Sequence, residues 1–407
     1  MMNTPKRSSS GNASAVRGYD DVVVTTPVSV PYVKRSTKGA AWFLGRVLGE
    51  LLKASGLAKQ EVDGLAVSSF TLFPDTAVGW TQHVGMSPRF LEHIPMGGAC
   101  GVIALRRAAR AVQCGDVDVV ACVAGDTNHF DSFRDLVGNF SSFARDCVYP
   151  HGAGGPNASF AMLADHFMRN CGATREEFGK LAVAQRDNAR DNPHALLRGR
   201  LTLEDYLAAK PIAEPIHLFD CVMPCAGAEG FLVMRRATAE QLGLPYVRIL
   251  STIERHNAFP DDPIQTRGGW AMDRDALWDQ AGIAPADVDF VETYDDYPVI
   301  SMLQFEDLGF CEKGAAPDFV RRHTFTADGS FPHNTAGGQL SCGQAGAAGG
   351  YLGLTTALRQ LTGKPLGRAV RGAKVGLVSG YGMINYDRGI CSAAALLAGD
   401  QGTGSQA

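Results

Sequence analysis

The chain has no apolar run of about 18 residues, the length a membrane-spanning helix needs, so no transmembrane helix is expected. It also lacks an excess of either charge: 38 Lys and Arg stand against 42 Asp and Glu, a formal net charge of −4. That balance offers no electrostatic footprint for nucleic acid or for an anionic membrane surface. Its ten cysteines are scattered over 407 residues rather than packed into a small disulfide framework. Cys221 and Cys225 have no second pair at zinc-ligand spacing, so reduced thiols and no metal site are expected. The Gly152-Ala-Gly-Gly155 run lacks the spacing of a phosphate or dinucleotide loop. Met1–Asp20 has no apolar segment and reads as a frayed tail, not a signal peptide, which predicts a cytoplasmic protein.

What is present is ordinary globular material, 45% hydrophobic and 20% charged, too long for a single small core. Apolar runs at Val117–Ala124 and Val375–Ser379 follow helical patterns and precede Gly-rich turns, as buried strands of an α/β sheet do. A repeat is visible. Ser55-Gly-Leu-Ala-Lys-Gln-Glu-Val-Asp63 returns as Ala281-Gly-Ile-Ala-Pro-Ala-Asp-Val-Asp289, each reading as a glycine-closed helix end, a loop and a strand. Met96-Gly-Gly-Ala-Cys-Gly101 opens a helix over Ala104–Val112, and Gly337-Gly-Gln-Leu-Ser-Cys-Gly343 opens one over Gly349–Leu361. The predicted organisation is a tail (1–17), a first half (18–245), a second half (246–396) and a short tail (397–407). Extra material at about 125–201 reads as an inserted loop domain, since long excursions from compact folds are often lids or binding elements.

Several longer stretches resemble a known family. Gly199–Cys221 followed by Gly227-Ala-Glu-Gly230, and Glu177–Asn192 around its Ala-Val-Ala-Gln-Arg core, are similar to the segments that close the first half of sterol-carrier-protein-type thiolases. Val291-Glu-Thr-Tyr-Asp295 resembles their Glu-x-His-Asp segment. Asn334-Thr-Ala-Gly-Gly338 through Gly343-Gln-Ala-Gly346 resembles their Asn-x-x-Gly-Gly and Gly-His-Pro stretch. The resemblance runs from about Asp20 to Leu397. It implies the thiolase fold: two duplicated αβα halves forming a five-layered αβαβα core.

A thiolase uses a nucleophilic cysteine at a helix N-terminus, two histidines and a second cysteine to pass an acyl group between thioesters. Set against that pattern, Gly98 stands at the nucleophile's position, Tyr294 at the first histidine's and Gln344 at the second's. Ser379 or Gly380 stands where the late cysteine would be. Acyl transfer through a covalent intermediate is therefore not expected. Thioester enolate stabilisation by backbone N–H groups, here of Gly98 and Gly382, needs no side chain and can persist.

This combination resembles the thiolase-like aldolases of steroid and bile-acid side-chain breakdown, which rely on tyrosines. The resemblance implies retro-aldol cleavage of a β-hydroxyacyl-CoA, with coenzyme A as part of the substrate and no covalently bound cofactor. Tyr294 and Tyr381 are the expected proton carriers, with Tyr386, five residues on, as the alternative to Tyr381. Gln344 is expected to hold a water or the thioester oxygen, and Asn334 to stand beside a close backbone approach to ligand. Asp295 is expected to orient loops through backbone N–H bonds.

A rival reading makes Cys100 or Cys342, both at helix starts, the nucleophile of an acyltransferase. A third makes the chain a non-catalytic acyl-CoA-binding subunit. His129, His151 and His333 are further candidates for a base, and Arg186, Arg190, Arg198, Arg200 and Lys210 for contacts to CoA phosphates. Resemblance also implies a homodimer and a small partner subunit with a zinc ribbon and an OB-fold.

Overall fold

The computed structural model describes residues 18–128, 136, 138, 141–153 and 155–400; both expected tails up to 17 and from 401, and His129, lie outside them. Among the described residues, nine strands make one hydrogen-bonded sheet: β1 (Val22–Val33), β2 (Gly64–Ser68), β3 (Phe90–His93), β4 (Val119–Thr127), β7 (Ala226–Arg235), β8 (Tyr246–His256), β9 (Phe290–Glu292), β10 (Val375–Asn385) and β11 (Arg388–Gly399). A separate small hairpin is formed by β5 (Pro211–Ala213) and β6 (Ile216–His217). The large sheet runs β3-β2-β4-β7-β1-β8-β11-β10-β9. Only a short antiparallel pairing, Val23–Thr25 with Tyr246–Arg248, joins its halves. The second half repeats the order of the first from the middle outward, and a bridge of His333 to Val291 stands where β3 does in the first.

The repeated sequence segments have a physical job. Helix Ala40–Ser55 is capped by Gly56 at φ 74°, and helix Trp270–Ala281 by Gly282 at φ 68°. Each cap leads through one 3-10 turn into a strand. Asp63 then accepts N–H bonds from Asp118 and Val119 at the start of β4, at 3.0 and 2.9 Å. Asp289 accepts the matching bonds from Lys374 and Val375 at the start of β10, at 2.7 and 2.9 Å. An aspartate that satisfies two strand-end donors fixes the parallel register in both halves.

Helices form an outer layer on each half, and two inner helices, Cys100–Cys114 and Gly349–Leu361, pack between the half-sheets, completing five layers. Helix Ala40–Ser55 buries only one stripe, Phe43, Leu44, Val47, Leu48 and Leu51, as an outer helix should. The inner helix Gly349–Leu361 is buried on nearly every face. The inner pair touch backbone to backbone: a Cβ on Gly101 would overlap the Gly350 carbonyl, and one on Gly350 would come within 2.8 Å of the Cys100 sulfur. Glycine at both positions is what brings the two helix N-termini to one place.

The excursion between β4 and β7 spans 128–225, longer than the 125–201 the sequence suggested. The corresponding strands β10 and β11 are joined directly at Tyr386-Asp387. Segment 203–220 forms a short helix, the β5–β6 hairpin and a 3-10 turn before the chain rejoins the sheet. At the other end β11 continues to Gly399, with Leu397 paired to Ile249, so residues 397–399 belong to the sheet. Among the described residues no helix is long and apolar enough to cross a membrane.

Candidate active site

One cavity lies where the N-terminus of the inner helix Cys100–Cys114 meets the ends of β9 and β10 and the 344–346 loop. Gly98, Tyr294, Gln344, Tyr381, Gly382 and Tyr386 all line it, together with Asp296 and residues of the excursion such as Pro156 and Phe160. Asn334, Asp295, Cys100 and Cys342 do not line it.

Gly98 is buried, and a Cβ placed on it would overlap Cδ2, Cε2 and Cζ of the Tyr294 ring. The phenol thus occupies the room that any side chain at 98 would need. Gly382 packs as tightly on the other side, since a Cβ there would come within 2.8 Å of the Gly98 nitrogen and 2.7 Å of the Met96 carbonyl. Two glycines and one tyrosine ring are fitted to each other.

Beyond β9 the chain leaves the sheet and bends at Asp296 and Tyr297 before helix Pro298–Asp307. Tyr294 and Asp296 face the cavity. Asp295 turns away and accepts N–H bonds from Gln339 (2.9 Å) and Leu340 (3.3 Å) in the short helix Gly338–Cys342. Gln344 spans the cavity-facing pair, its Nε2 donating to the Tyr294 hydroxyl at 3.0 Å and to Asp296 Oδ1 at 2.6 Å. The amide is held from behind: the Gln344 N–H donates to the Met223 carbonyl (2.8 Å), and the Cys225 N–H donates to the Gln344 carbonyl (3.0 Å). Burial pushes the Tyr294 phenol well above its ordinary range. Withdrawal from solvent also raises Asp296, to about 7, opposed by bonding to Tyr294 and reinforced by the charge of Asp295. Asp295 rises to about 6 and Glu292 to about 8, both chiefly through burial.

The other candidates fall into place around this pair. The Tyr381 ring walls the cavity and packs on Trp270 and Phe160, centroids 5.3 and 6.0 Å away. Its hydroxyl donates to Gln265 Oε1 and accepts the Gly389 N–H at 3.0 Å. Tyr386 sits at the β10–β11 turn with φ 53° and is 42% exposed, so it can meet a ligand only at the cavity mouth. Asn334 accepts the Thr293 N–H at 2.9 Å and so braces the end of β9. The close glycine approach beside it is to a protein carboxylate, since a Cβ on Gly338 would overlap Asp295.

Cys100 donates to the Ala347 carbonyl (3.2 Å), and Cys342 donates to the Ala336 carbonyl (3.3 Å). Burial raises both thiols, the opposite of what a nucleophile needs. His333 is buried against Thr293 Oγ1 at 2.7 Å and is held neutral, lowered to about 3 by burial. His151 is exposed on a 3-10 turn and does not line the cavity. Arg186 bonds Ser341 Oγ at 3.2 Å and Arg190 pairs with Asp187 at 3.2 Å; neither they nor Arg198, Arg200 or Lys210 line the cavity. Among the described residues no cluster of three metal-ligating side chains occurs.

Asp296 is the cavity carboxylate that sequence reasoning missed. Its signal was its place two residues after Tyr294, in the short segment between β9 and helix Pro298–Asp307.

A repeated half-sheet order around two buried helices, with a cavity at their N-termini, defines a thiolase-like α/β protein. Comparison with known proteins agrees. Residues 262–391 match the thiolase C-terminal domain-like family. A 17-hydroxy-3-oxo-4-pregnene-20-carboxyl-CoA lyase of Mycobacterium tuberculosis is 32% identical over 358 residues, covering 82% of this chain and 89% of the relative. A steroid side-chain-cleaving aldolase of Thermomonospora curvata is 30% identical over 327 residues, 76% of this chain and 82% of that one. The solved Ltp2-ChsH2(DUF35) aldolase has the same fold, with a TM-score of 0.78 over 94% of this chain and 98% of that chain at 24% identity. The chain belongs to the thiolase superfamily, in the sterol-carrier-protein-type family that includes the thiolase-like steroid side-chain aldolases.

Two outcomes follow from this geometry. Gly98→Ala should displace the Tyr294 ring and cost roughly 1–3 kcal/mol of stability as an overpacked core, read by denaturant unfolding with Tyr294→Phe as reference. Glu292, raised to about 8 by burial, holds a proton in the folded state that the unfolded chain loses near pH 4. Its contribution makes stability fall as pH rises from about 4 to 8. Glu292→Gln should remove on the order of 1 kcal/mol per pH unit from that decline in urea titrations across the window, while Asp295 and Asp296 keep a residual slope of the same sign.

Proposed function

We propose that this protein cleaves the Cα–Cβ bond of a β-hydroxyacyl-CoA by a retro-aldol reaction without a covalent cysteine intermediate. The observation that carries the reading is the Tyr294 ring standing in the space of a residue-98 side chain, its hydroxyl bonded to Gln344 at the cavity. A nucleophile's place has been given to a proton carrier.

In the reaction the β-hydroxyl loses its proton, the Cα–Cβ bond breaks, and the β-carbon leaves as a ketone or aldehyde. The electron pair is left as a thioester enolate, which takes a proton at Cα to give the shortened acyl-CoA. Tyr294 serves the proton transfers, and the backbone N–H of Gly98, which a side chain at 382 would cover, is the donor assigned to the enolate oxygen. Tyr381, its proton committed to Gln265, shapes the pocket. The relatives named as steroid side-chain aldolases and lyases favour a bulky, tertiary β-carbinol as the substrate class. The enzyme works as a homodimer with a small zinc-ribbon and OB-fold partner, and the two-component Ltp2-ChsH2(DUF35) aldolase supports the second component.

With 17-hydroxy-3-oxo-4-pregnene-20-carboxyl-CoA as the probe, Tyr294→Phe should lower kcat about 10²-fold or more in a chromatographic assay of ketone release. Undiminished turnover in that variant would sink the assignment. Intact-mass spectrometry after incubation with acyl-CoA should show no thioester adduct; an adduct on Cys100 or Cys342 would restore the acyltransferase reading.

A further inference from the structure

The cavity holds a second ionisable group that the tyrosine chemistry alone does not use. Asp296 lines it beside Tyr294, and the Gln344 amide donates one hydrogen to each, at 2.6 and 3.0 Å. An amide NH2 has two hydrogens, and both are spent on holding these two oxygens near each other. The Tyr294 hydroxyl and the Asp296 carboxyl meet at this one nitrogen, and each acts electrostatically on the other. A neutral phenol has no capacity to take a proton unless it passes its own onward, and Asp296 is the carboxylate that shares the Gln344 nitrogen and the cavity with it.

We infer that Asp296 is the proton-accepting partner of Tyr294: as the substrate's β-hydroxyl gives its proton to the phenol oxygen, the phenol's proton moves to the Asp296 carboxylate. The balance closes. When the Cα–Cβ bond breaks, the pair of electrons rests on the enolate, and the proton held on Asp296 returns through Tyr294 to Cα. No other reactant is needed, and the net change is one hydrogen moved from oxygen to carbon. The inference rests on the retro-aldol reading above and deepens it.

The surroundings suit the role. The groups that bear on Asp296 are Tyr294 and Asp295 from its own segment, Tyr297 at the start of helix Pro298–Asp307, Cys221 from the preceding loop, and the neutral Gln344. No cation among the described residues pairs with it. Shielded from solvent, facing a like charge and without a counter-ion, the carboxyl sits near 7, where it can take and return a proton at small cost.

The test uses Asp296→Asn, whose amide oxygen can still accept from Gln344, so the fold and the tyrosine's position are retained. With the same steroid thioester, wild-type kcat/KM should rise with pH through an apparent pKa near 7, because the ionised carboxylate is the active form. Asp296→Asn should lose that acidic limb and about 10²-fold in kcat with little change in KM. Asp296→Glu should recover part of the rate and the limb. Retention of the limb and the rate in Asp296→Asn, with Tyr294→Phe inactive, would overturn the role of Asp296 and leave the retro-aldol reading standing. Full activity in Tyr294→Phe would overturn both.

A second measurement does not depend on turnover. Infrared difference spectra, wild type minus Asp296→Asn, should show a protonated-carboxyl band vanishing near pH 7 and shifted in Tyr294→Phe. A band already absent at pH 5 or unmoved by Tyr294→Phe would count against the pair.

Discussion

The site turns on a question of excluded volume. At the N-terminus of an inner helix there is room either for a side chain on residue 98 or for the ring of Tyr294, and in this chain glycine concedes it to the ring. Everything near the cavity follows from that allocation. Gly382 has no Cβ because one would strike the Gly98 nitrogen, and Gln344 reaches the phenol from a loop pinned to Met223 and Cys225. Asp296, two residues further along the chain, shares the cavity with the phenol. Close-packed interiors do not admit such exchanges one residue at a time, so the losses relative to a thiolase form a set.

The helices that carry the site are themselves placed by glycine. Gly101 and Gly350 let the inner pair touch through backbone, and the two half-sheets hold them from either side. Asp63 and Asp289 fix the edges of the parallel strands in both halves by capping the N–H groups of the neighbouring strand. The cavity therefore rests on buried, doubly supported elements, while residues 155–160 of the excursion complete one wall. Rigid elements on one side and a long insertion on the other is an arrangement in which chemistry and ligand choice can vary separately.

Buried carboxyl groups crowd the end of β9. Glu292, Asp295 and Asp296 all rise above the ordinary carboxylate range, yet they do different things. Glu292 accepts from the Thr335 N–H and hydroxyl, and Asp295 accepts from Gln339 and Leu340, so both are tied to backbone. Asp296 accepts from the Gln344 side chain, and it alone of the three lines the cavity. Neighbouring side chains of one short segment thus divide into a brace and a cavity group.

Much of this was legible in the residues. The glycine-capped repeats announced two similar halves because short, local patterns fix short, local structure, and the resemblance to thiolase motifs set Gly98, Tyr294 and Gln344 at one site. The excursion's end at 225 was less legible, because its last part makes only a brief helix and hairpin before the return strand. What tertiary structure alone decided was which polar side chains are spent. Sequence could not show that Tyr381 gives its proton to Gln265, that Cys100 and Cys342 bond carbonyls inside the core, or that Asn334 braces Thr293. Nor could it pick Asp296 over Asp295, since both are aspartates in one segment. Partner choice depends on groups that lie far away in the chain and meet only when the two half-sheets close on the inner helices.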